Sequence, residues 1–420
     1  MRRIAMSGLV ALATVLGTAA SGTAASASVA LPVSAPVPLT AAPLRLTAAA
    51  VLSPPAAHTG SAVTVPTDQL ADVSCVSAKD CLAVGANANG DRGNGSPLAE
   101  TWNGSRWKQV SVKLPAGASG GILTSVSCKS ATYCVAVGYH YDRGGNEYAL
   151  ADAWSGSAWK PAKPPAPVGA NLNGVSCATT KSCLAVGQYN SPDIPLAEFW
   201  NGTKWTREKP PAPSGSGADT RLLGVWCVSA TYCVTVGSNG VSPLADAWNG
   251  RAFTKLRAPE PPPGTSYAEP MDVSCTSAKN CVAVGLGMSA SFSVTSMADT
   301  WNGTGWTAAK VPWPKGTTSP VLVGVSCTSA KSCVAVGATA FTLTNNNSGD
   351  AAAASFNGKA WSVTSVPAPA KGKASVLAGV TCLSATDCAA VGDLGPTNSA
   401  NSNGLSGFWN GRSWKLVTAI

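Results

Sequence analysis

A short cysteine motif that recurs seven times constrains the fold of this chain more than any other feature. Its clearest copy runs from Gly324 to Gly337, and in every copy a second cysteine follows the first by six positions. The copies repeat at intervals of about 50 residues, a period typical of solenoids and propellers. The pairs are Cys75 and Cys81, Cys128 and Cys134, Cys177 and Cys183, Cys227 and Cys233, Cys275 and Cys281, Cys327 and Cys333, and Cys382 and Cys388.

The N-terminus predicts export from the cell. Met1-Arg-Arg3 precedes an apolar run from Ile4 to about Ala20, and the sequence Ala25-Ser26-Ala27 suits cleavage by signal peptidase. We therefore assign residues 1–27 to a signal peptide, 28–71 to an Ala/Pro-rich disordered linker, and 72–420 to the folded body. No later apolar run is long enough to cross a bilayer, so a secreted, extracellular protein is expected.

Export determines how the cysteines are interpreted. In an oxidising compartment, regularly spaced cysteine pairs are disulfides, and each repeat supplies its own pair. Zinc ligands lie closer together in sequence and usually include histidine, whereas this chain has 2 histidines. The sequence predicts one disulfide per repeat and no metal site.

Each repeat also carries the signals of four strands. In the first repeat these are Val73 to Cys75, Cys81 to Gly85, Leu98 to Trp102 and Trp107 to Val110. A tight turn joins the first two strands, and an Asn-Gly turn, a strong hairpin signal, joins the last two. The Asn-Gly turns begin at Asn103, Asn201, Asn249, Asn302, Asn357 and Asn410, with Ser155 in the second repeat.

Residue size then orders the strands. The first two strands are built from Val, Ser, Cys and Ala, whereas the last two carry paired tryptophans such as Trp102 and Trp107. Blades that converge on an axis need small residues inside and bulky residues at the rim. The sequence therefore predicts an all-β, seven-bladed β-propeller with four antiparallel strands and one disulfide per blade.

The repeat unit Cys-x5-Cys-x-Ala-Val-Gly with Leu-Ala-x-x-Trp-Asn-Gly-x-x-Trp resembles that of secreted bacterial tandem-repeat β-propeller proteins, which are mostly uncharacterised. The resemblance spans about Asp72 to Ile420 and implies a fold but no catalytic residues. The chain lacks the Ser-x-Asp-x-Gly box of sialidase-like propellers and the paired glycines of kelch blades.

Strand alternation separates two rims of the ring. The turn between strands one and two and the Asn-Gly turn lie on one rim and are nearly constant in length. The loops between strands two and three, and the links between blades, lie on the other rim and vary. Variable loops on a constant scaffold are typical of binding surfaces, so we place function on the variable rim.

One variable loop is unusually rich in chemistry. It combines aromatic rings, both signs of charge and a histidine, and we predict a ligand site at Tyr139, His140, Tyr141, Asp142, Arg143, Glu147 and Tyr148. A solvated loop with packed tyrosines is the competing interpretation. Asn87, Asn89 and Asp91 have the spacing of calcium ligands but offer too little charge, so neither metal nor cofactor is expected.

Two further patterns favour structural roles. An acid precedes the first Trp by two positions in five repeats, where we expect it to have a structural role such as bonding turn amides: Glu100, Asp152, Glu198, Asp246 and Asp299. Trp226 stands where the other repeats have Ser or Thr. It either plugs the central channel or packs between blades, and packing is favoured.

Two classes of function remain open. The first is a binding or scaffolding propeller, monomeric, that recognises an extracellular protein or polysaccharide through the variable loops. The second is a polysaccharide-active enzyme, a glycoside hydrolase or lyase, which requires acids such as Asp91, Asp193 and Asp350 to converge from several blades. Basic residues are scattered rather than clustered, which argues against nucleic acid. We favour the binding protein.

Overall fold

The computed structural model describes residues 68–87, 95–190, 192–211, 219–340, 349–367, 373–396 and 403–418. These residues form 28 strands in seven four-stranded antiparallel sheets, with strand order following chain order in each sheet. The described residues contain no α-helix, and therefore none that is long and apolar enough to cross a membrane. The chain is a seven-bladed β-propeller, as the repeat predicts.

The strands of the first four blades are β1 (Asp68–Ser77), β2 (Asp80–Asn87), β3 (Ser96–Trp102), β4 (Trp107–Gln109); β5 (Ala118–Ser130), β6 (Tyr133–Asp142), β7 (Glu147–Trp154), β8 (Trp159–Pro161); β9 (Ala170–Thr179), β10 (Ser182–Tyr189), β11 (Ile194–Trp200), β12 (Trp205–Glu208); β13 (Arg221–Ser229), β14 (Tyr232–Ser238), β15 (Pro243–Trp248), β16 (Phe253–Lys255). The remaining three blades contain β17 (Tyr267–Ser277), β18 (Asn280–Met288), β19 (Val294–Trp301), β20 (Trp306–Ala308); β21 (Val321–Ser329), β22 (Ser332–Ala338), β23 (Ala351–Phe356), β24 (Trp361–Thr364); β25 (Lys373–Ser384), β26 (Asp387–Pro396), β27 (Asn403–Trp409), β28 (Trp414–Thr418).

The first strand of every blade is the innermost one. Each first strand packs against the first strands of both neighbouring blades, and β25 of the last blade packs against β1 of the first. The ring is therefore closed, with the small-residue strands inside. The first described strand begins at Asp68, four residues before the predicted boundary at Asp72. The predicted signal peptide and the linker up to residue 67 lie outside the described residues.

A β-bulge in each inner hairpin explains the Val-Gly pair that closes strand two in every repeat. In β1 the register with β2 shifts between Leu70 and Asp72, opposite Gly85. A Cβ atom on Gly85 would collide with the carbonyl oxygen of Gln69, and the glycine at this position in each other blade faces the same clash. The first strand approaches too closely for any side chain, so glycine is required here.

Serine hydroxyls join the inner strands of neighbouring blades. The serine before the first cysteine accepts a hydrogen bond from the amide of the first cysteine in the next blade, at 2.9 to 3.0 Å. The serines are Ser74, Ser127, Ser176, Ser274 and Ser326. Trp226 replaces this serine in blade 4, where it packs against a buried cluster that spans blades 4 and 5 and contains Val234 and Cys275. This position agrees with the packing role favoured from the sequence.

The outer strands are held by paired aromatic rings. The ring centroids within each blade lie 5.1 to 5.7 Å apart. The second ring packs on the preceding blade: Trp205 of blade 3, for example, contacts the cluster that contains Val135 and Val137 of blade 2. Each blade is thus covered by its neighbours, which explains why both sheet faces are apolar.

The structure confirms all seven predicted disulfides, each joining directly paired residues of the first two strands of one blade. Such bridges persist in an oxidising environment. In five blades the indole of the first Trp donates to a carbonyl of the adjacent strand-one turn, as Trp102 does to Ala78 at 3.2 Å. These bonds place the cysteine turns and the Asn-Gly turns on one rim, called here the constant rim.

Candidate functional site

The opposite, variable rim carries the loops between strands two and three and the links between blades. Four of the six large apolar side chains that are exposed among the described residues lie there. They are Val168 in the link before β9, Ile194 at the start of β11, Val241 between β14 and β15, and Phe292 between β18 and β19. Among the described residues, the variable rim therefore exposes more large apolar side chains than the constant rim does.

The predicted ligand residues all lie on one hairpin of this rim. Strand β6 has 10 residues, compared with 7 in the equivalent strand β14, so the hairpin β6–β7 extends farther along the sheet. Tyr139 and Tyr141 pair with Ala149 and Glu147 across the hairpin, and His140 pairs with Tyr148. Side chains alternate along a strand, so the two tyrosines of β6 share one face and His140 lies on the other.

The aromatic rings of the hairpin form two pairs. His140 stacks on Tyr148 with ring centroids 5.4 Å apart and an interplanar angle of 16°. Tyr139 meets Tyr141 edge to face at 5.6 Å and 85°. All four side chains are half-buried. Rings held by one another keep flat faces partly open at low entropic cost, which suits stacking on a ligand.

Asp142 organises the tip of the hairpin. Its Oδ1 accepts a hydrogen bond from the Asn146 amide at 2.9 Å, and its Oδ2 accepts from Asn146 Nδ2 at 2.9 Å and from the Tyr148 hydroxyl at 3.3 Å. The bonds from Asn146 hold the pKa of Asp142 below its ordinary value. Asp142 thus shapes the loop, and its charge lies next to the exposed Arg143.

Burial lowers the pKa of His140, against smaller opposing effects of the Tyr141 backbone and the Asp142 charge, and so favours the neutral ring. Its Nδ1 is buried without a hydrogen-bond partner among the described residues. A neutral ring stacked on Tyr148 is suited to packing rather than to anion binding.

The hairpin is continuous with the rim of blade 3. Asn171 of β9 donates a hydrogen bond from Nδ2 to Glu147 Oε2 at 3.3 Å. Tyr189 at the end of β10 packs in the same cluster as Ala149, and the guanidinium of Arg207 lies 4.7 Å from the centre of the Tyr189 ring. The hairpin therefore contacts blade 3, which adds the ring of Tyr189 and the guanidinium of Arg207 on the same side of the ring.

Of the acids considered for catalysis, Asp193 donates a hydrogen bond from its backbone amide to Asp219 Oδ1 at 3.2 Å, and Asp350 is exposed beside Thr339. Asp91 and Asn89 lie outside the described residues, so the calcium pattern is not described. Among the residues described, no group of three or more His, Cys, Asp or Glu is placed to hold a metal ion.

The acids before the first Trp are buried rather than bonded to the turns. Glu100 and Glu198 have no hydrogen-bond partner for either carboxyl oxygen among the described residues, while Asp299 accepts from the Glu260 amide of the preceding link at 3.2 Å. Burial raises the pKa of Asp152 to about 6 and that of Glu100, Glu198, Asp246 and Asp299 to about 7. The expectation of turn-amide bonding is therefore wrong for the two glutamates.

Sequence reasoning missed a buried charged network on the variable rim between blades 4 and 5. Arg221 Nε lies 2.6 Å from Glu269 Oε1, and Arg221 Nη2 donates to the Tyr267 hydroxyl at 2.9 Å. Ser238 donates to the same glutamate oxygen at 2.8 Å. Burial has the largest single effect on the pKa of Arg221 and lowers it, but the charges and hydrogen bonds of Glu269 and Tyr267 together raise it by more, so the guanidinium stays charged.

The signal for this network was present in the repeat alignment. Arg221 and Glu269 stand three residues before the inner-strand positions of Gly224 and Asp272, where blades 6 and 7 have Val321 and Val376. Opposite charges at this position of two repeats predict an ion pair only if the two blades are adjacent, and blades 4 and 5 are adjacent. The network joins β13 of blade 4 to β17 of blade 5 near the variable-rim ends of these strands.

No family model matches the sequence, and no curated protein matches it. Among solved structures, the chain is similar to YCF48 bound to a D1 peptide, at 12% identity and a TM-score of 0.47 over 79% of this chain and 90% of the other. It is also similar to the SapL1 lectin in complex with alpha methyl fucoside, at 14% identity and a TM-score of 0.42, covering 74% and 97% of the two chains. A GH74 xyloglucanase from Xanthomonas campestris matches at 11% identity and a TM-score of 0.48, covering 80% and 52%.

Proposed function

We propose that this protein is a secreted binding protein that recognises an extracellular polysaccharide or protein through the variable rim, with the hairpin β6–β7 as the principal contact. The observation that carries the proposal is the arrangement of four half-buried rings in two pairs on this hairpin. The constant rim offers repeated turns instead, closed by their own Trp–carbonyl hydrogen bonds.

The chemistry of the surface indicates what it recognises. Aromatic faces stack on the apolar faces of sugars or on flat peptide groups, and each such contact contributes about 0.5 to 1.5 kcal/mol. Arg143 is exposed at the tip and is suited to hold a carboxylate through two parallel hydrogen bonds. A polysaccharide that contains uronic acid units, or an acidic segment of a protein, meets both requirements.

A glycan-array screen of the secreted protein, followed by affinity measurements, tests the proposal. The double variant Tyr141→Ala, Arg143→Ala should bind the selected ligand about tenfold or more weakly, because it removes one stacking ring and one bidentate contact. Its melting temperature should stay close to that of the wild type, since the tip is outside the blade core.

The matched control removes the same charge on the constant rim. Arg106 and Arg251 are exposed in Asn-Gly turns, so Arg106→Ala and Arg251→Ala should leave affinity unchanged. Unchanged affinity in the Tyr141→Ala, Arg143→Ala variant, with binding lost in the control variants, would show that the site lies on the constant rim.

A further inference from the structure

The turn between β18 and β19 in blade 5 holds a phenylalanine in an unfavourable environment. Phe292 has a φ of 63° and a side chain that is 55% exposed. A positive φ is rare for bulky residues because the Cβ atom crowds the following carbonyl oxygen. The ring gains little packing in return, so neither backbone strain nor apolar exposure is offset by the fold.

The loop between strands two and three of blade 3 is one residue shorter and also contains a non-glycine residue with positive φ, Asn190, at 68°. Asparagine tolerates this conformation because its short polar side chain bonds locally. The phenylalanine in blade 5 is therefore a departure from the expected turn chemistry, and such departures concentrate at binding sites.

The turn presents the ring rigidly. The Phe292 amide donates to the Ser289 carbonyl at 2.9 Å, and the Ser289 amide donates to the Ser293 carbonyl at 3.0 Å. The Ser293 amide also donates to Ser289 Oγ at 3.2 Å. A ring on a pre-ordered turn loses little conformational entropy when it binds a ligand.

The turn that carries Phe292 also carries a row of hydroxyl groups and no charged residue. The hydroxyl oxygens of Ser289 and Ser291 lie 2.9 Å apart, and those of Ser291 and Ser293 lie 3.5 Å apart. Residues 286–296 include no Lys, Arg, Asp or Glu. An apolar face beside a row of hydroxyls, without charge, is complementary to an uncharged sugar ring, which has one apolar face and hydroxyls at its edge.

We infer that Phe292, with the hydroxyls of Ser289, Ser291 and Ser293, forms a second binding site on the variable rim, and that this site takes an uncharged sugar unit of a polysaccharide. It differs from the hairpin β6–β7 in place and in chemistry, because that hairpin carries Asp142, Arg143 and Glu147. The two sites give one rim separate contacts for neutral and acidic sugars.

Affinity electrophoresis in native gels that contain β-glucan, galactomannan or arabinoxylan tests the site. The wild type should be retarded by at least one of these uncharged polysaccharides. Phe292→Gly removes the ring and also relieves the strain, so its affinity should fall about tenfold. Its melting temperature should be at least equal to that of the wild type.

A gain or retention of stability together with a loss of binding separates a ligand contact from a structural role. Phe292→Trp keeps an aromatic face and should retain retardation, whereas Phe292→Asn should lose it. The Tyr141→Ala, Arg143→Ala variant should remain retarded in the uncharged gels.

Two results would overturn this inference. One is a wild-type protein that none of the uncharged polysaccharides retards. The other is a Phe292→Gly variant that is retarded as strongly as the wild type. This second result would also overturn the inference if the Tyr141→Ala, Arg143→Ala variant alone lost retardation. Neither result affects the proposal for the hairpin β6–β7, which is tested with its own ligand.

Discussion

The indole Nε1 of Trp107 in blade 1 donates a hydrogen bond to Ser406 Oγ in blade 7, at 3.0 Å. Both side chains are buried, and the same serine hydroxyl donates to the Val417 carbonyl at 2.9 Å. At the inner strands, the Leu70 amide of blade 1 donates to Asp393 Oδ1 of blade 7 at 3.1 Å. The first and last blades are thus joined at both the outer and the inner strands of the ring.

Ser406→Ala should destabilise the protein by about 1 to 2 kcal/mol, because it leaves a buried indole N–H without its acceptor. Urea denaturation of Ser406→Ala, Trp107→Phe and the double variant would give the coupling between the two side chains. Ser157→Ala, in an exposed turn of blade 2, serves as the control and should stay within about 0.5 kcal/mol of the wild type. Additive effects of the two buried changes would contradict a bond that closes the ring.

Gly337→Ala should prevent folding or cost more than about 4 kcal/mol, since the new Cβ atom would collide with the Val321 carbonyl oxygen inside the bulge. Gly305→Ala is the matched control, because a Cβ atom there meets its nearest neighbour, Arg257, at 3.9 Å. Circular dichroism and thermal melting of both variants would measure the difference. Equal stability of the two variants would show that the bulge is not tight.

The buried acids of strand three make stability depend on pH. Burial raises the pKa of Glu100 from 4.5 to about 7, with a smaller contribution from the Asp68 charge. Between these values the folded state holds a proton that the unfolded chain has released, so the stabilising effect of the proton is complete below about pH 4.5 and is lost as pH rises through 7. The free energy of unfolding should therefore be higher at pH 5 than at pH 8.

Glu100→Gln should reduce this pH dependence by roughly 1 kcal/mol or more, because glutamine does not titrate. Urea denaturation at pH 5, 6, 7 and 8 would measure it. Ser157→Ala, in an exposed turn of blade 2, changes no titratable group and is the control that should leave the slope unchanged. Stability that rises from pH 5 to pH 8 in the wild type would mean that the strand-three carboxyls are ionised in the folded protein.

The repeat was sufficient to predict the propeller, the disulfides and the separation of two rims, because each depends on a pattern that seven copies share. Val-Gly, Trp-Asn-Gly and the cysteine spacing report the same local contacts in every blade. The Arg221–Glu269 network and the strained Phe292 were missed for the opposite reason. Each occurs once, and its meaning depends on which blades are adjacent or on a backbone angle that residue types do not specify.

Glu100 and Glu198 show a second limit of sequence reasoning. Their recurrence correctly indicated a structural position, but a repeat pattern does not distinguish a carboxyl that bonds turn amides from one that is buried between sheets. The hairpin β6–β7 was predicted only in part from the sequence. The sequence placed its seven residues on one loop, and only the strand register assigns Tyr139 and Tyr141 to one face and His140 to the other.

Hydrogen exchange measured by mass spectrometry, with and without a ligand found in the glycan screen, tests most directly whether function lies on the variable rim. Amides that a ligand covers exchange more slowly, and the repeats provide an internal comparison between the two rims. We expect slower exchange in residues 139–148 and in the adjoining end of β10, with no change in the Asn-Gly turns. Protection confined to the turns that begin at Asn103, Asn201 and Asn302 would contradict it.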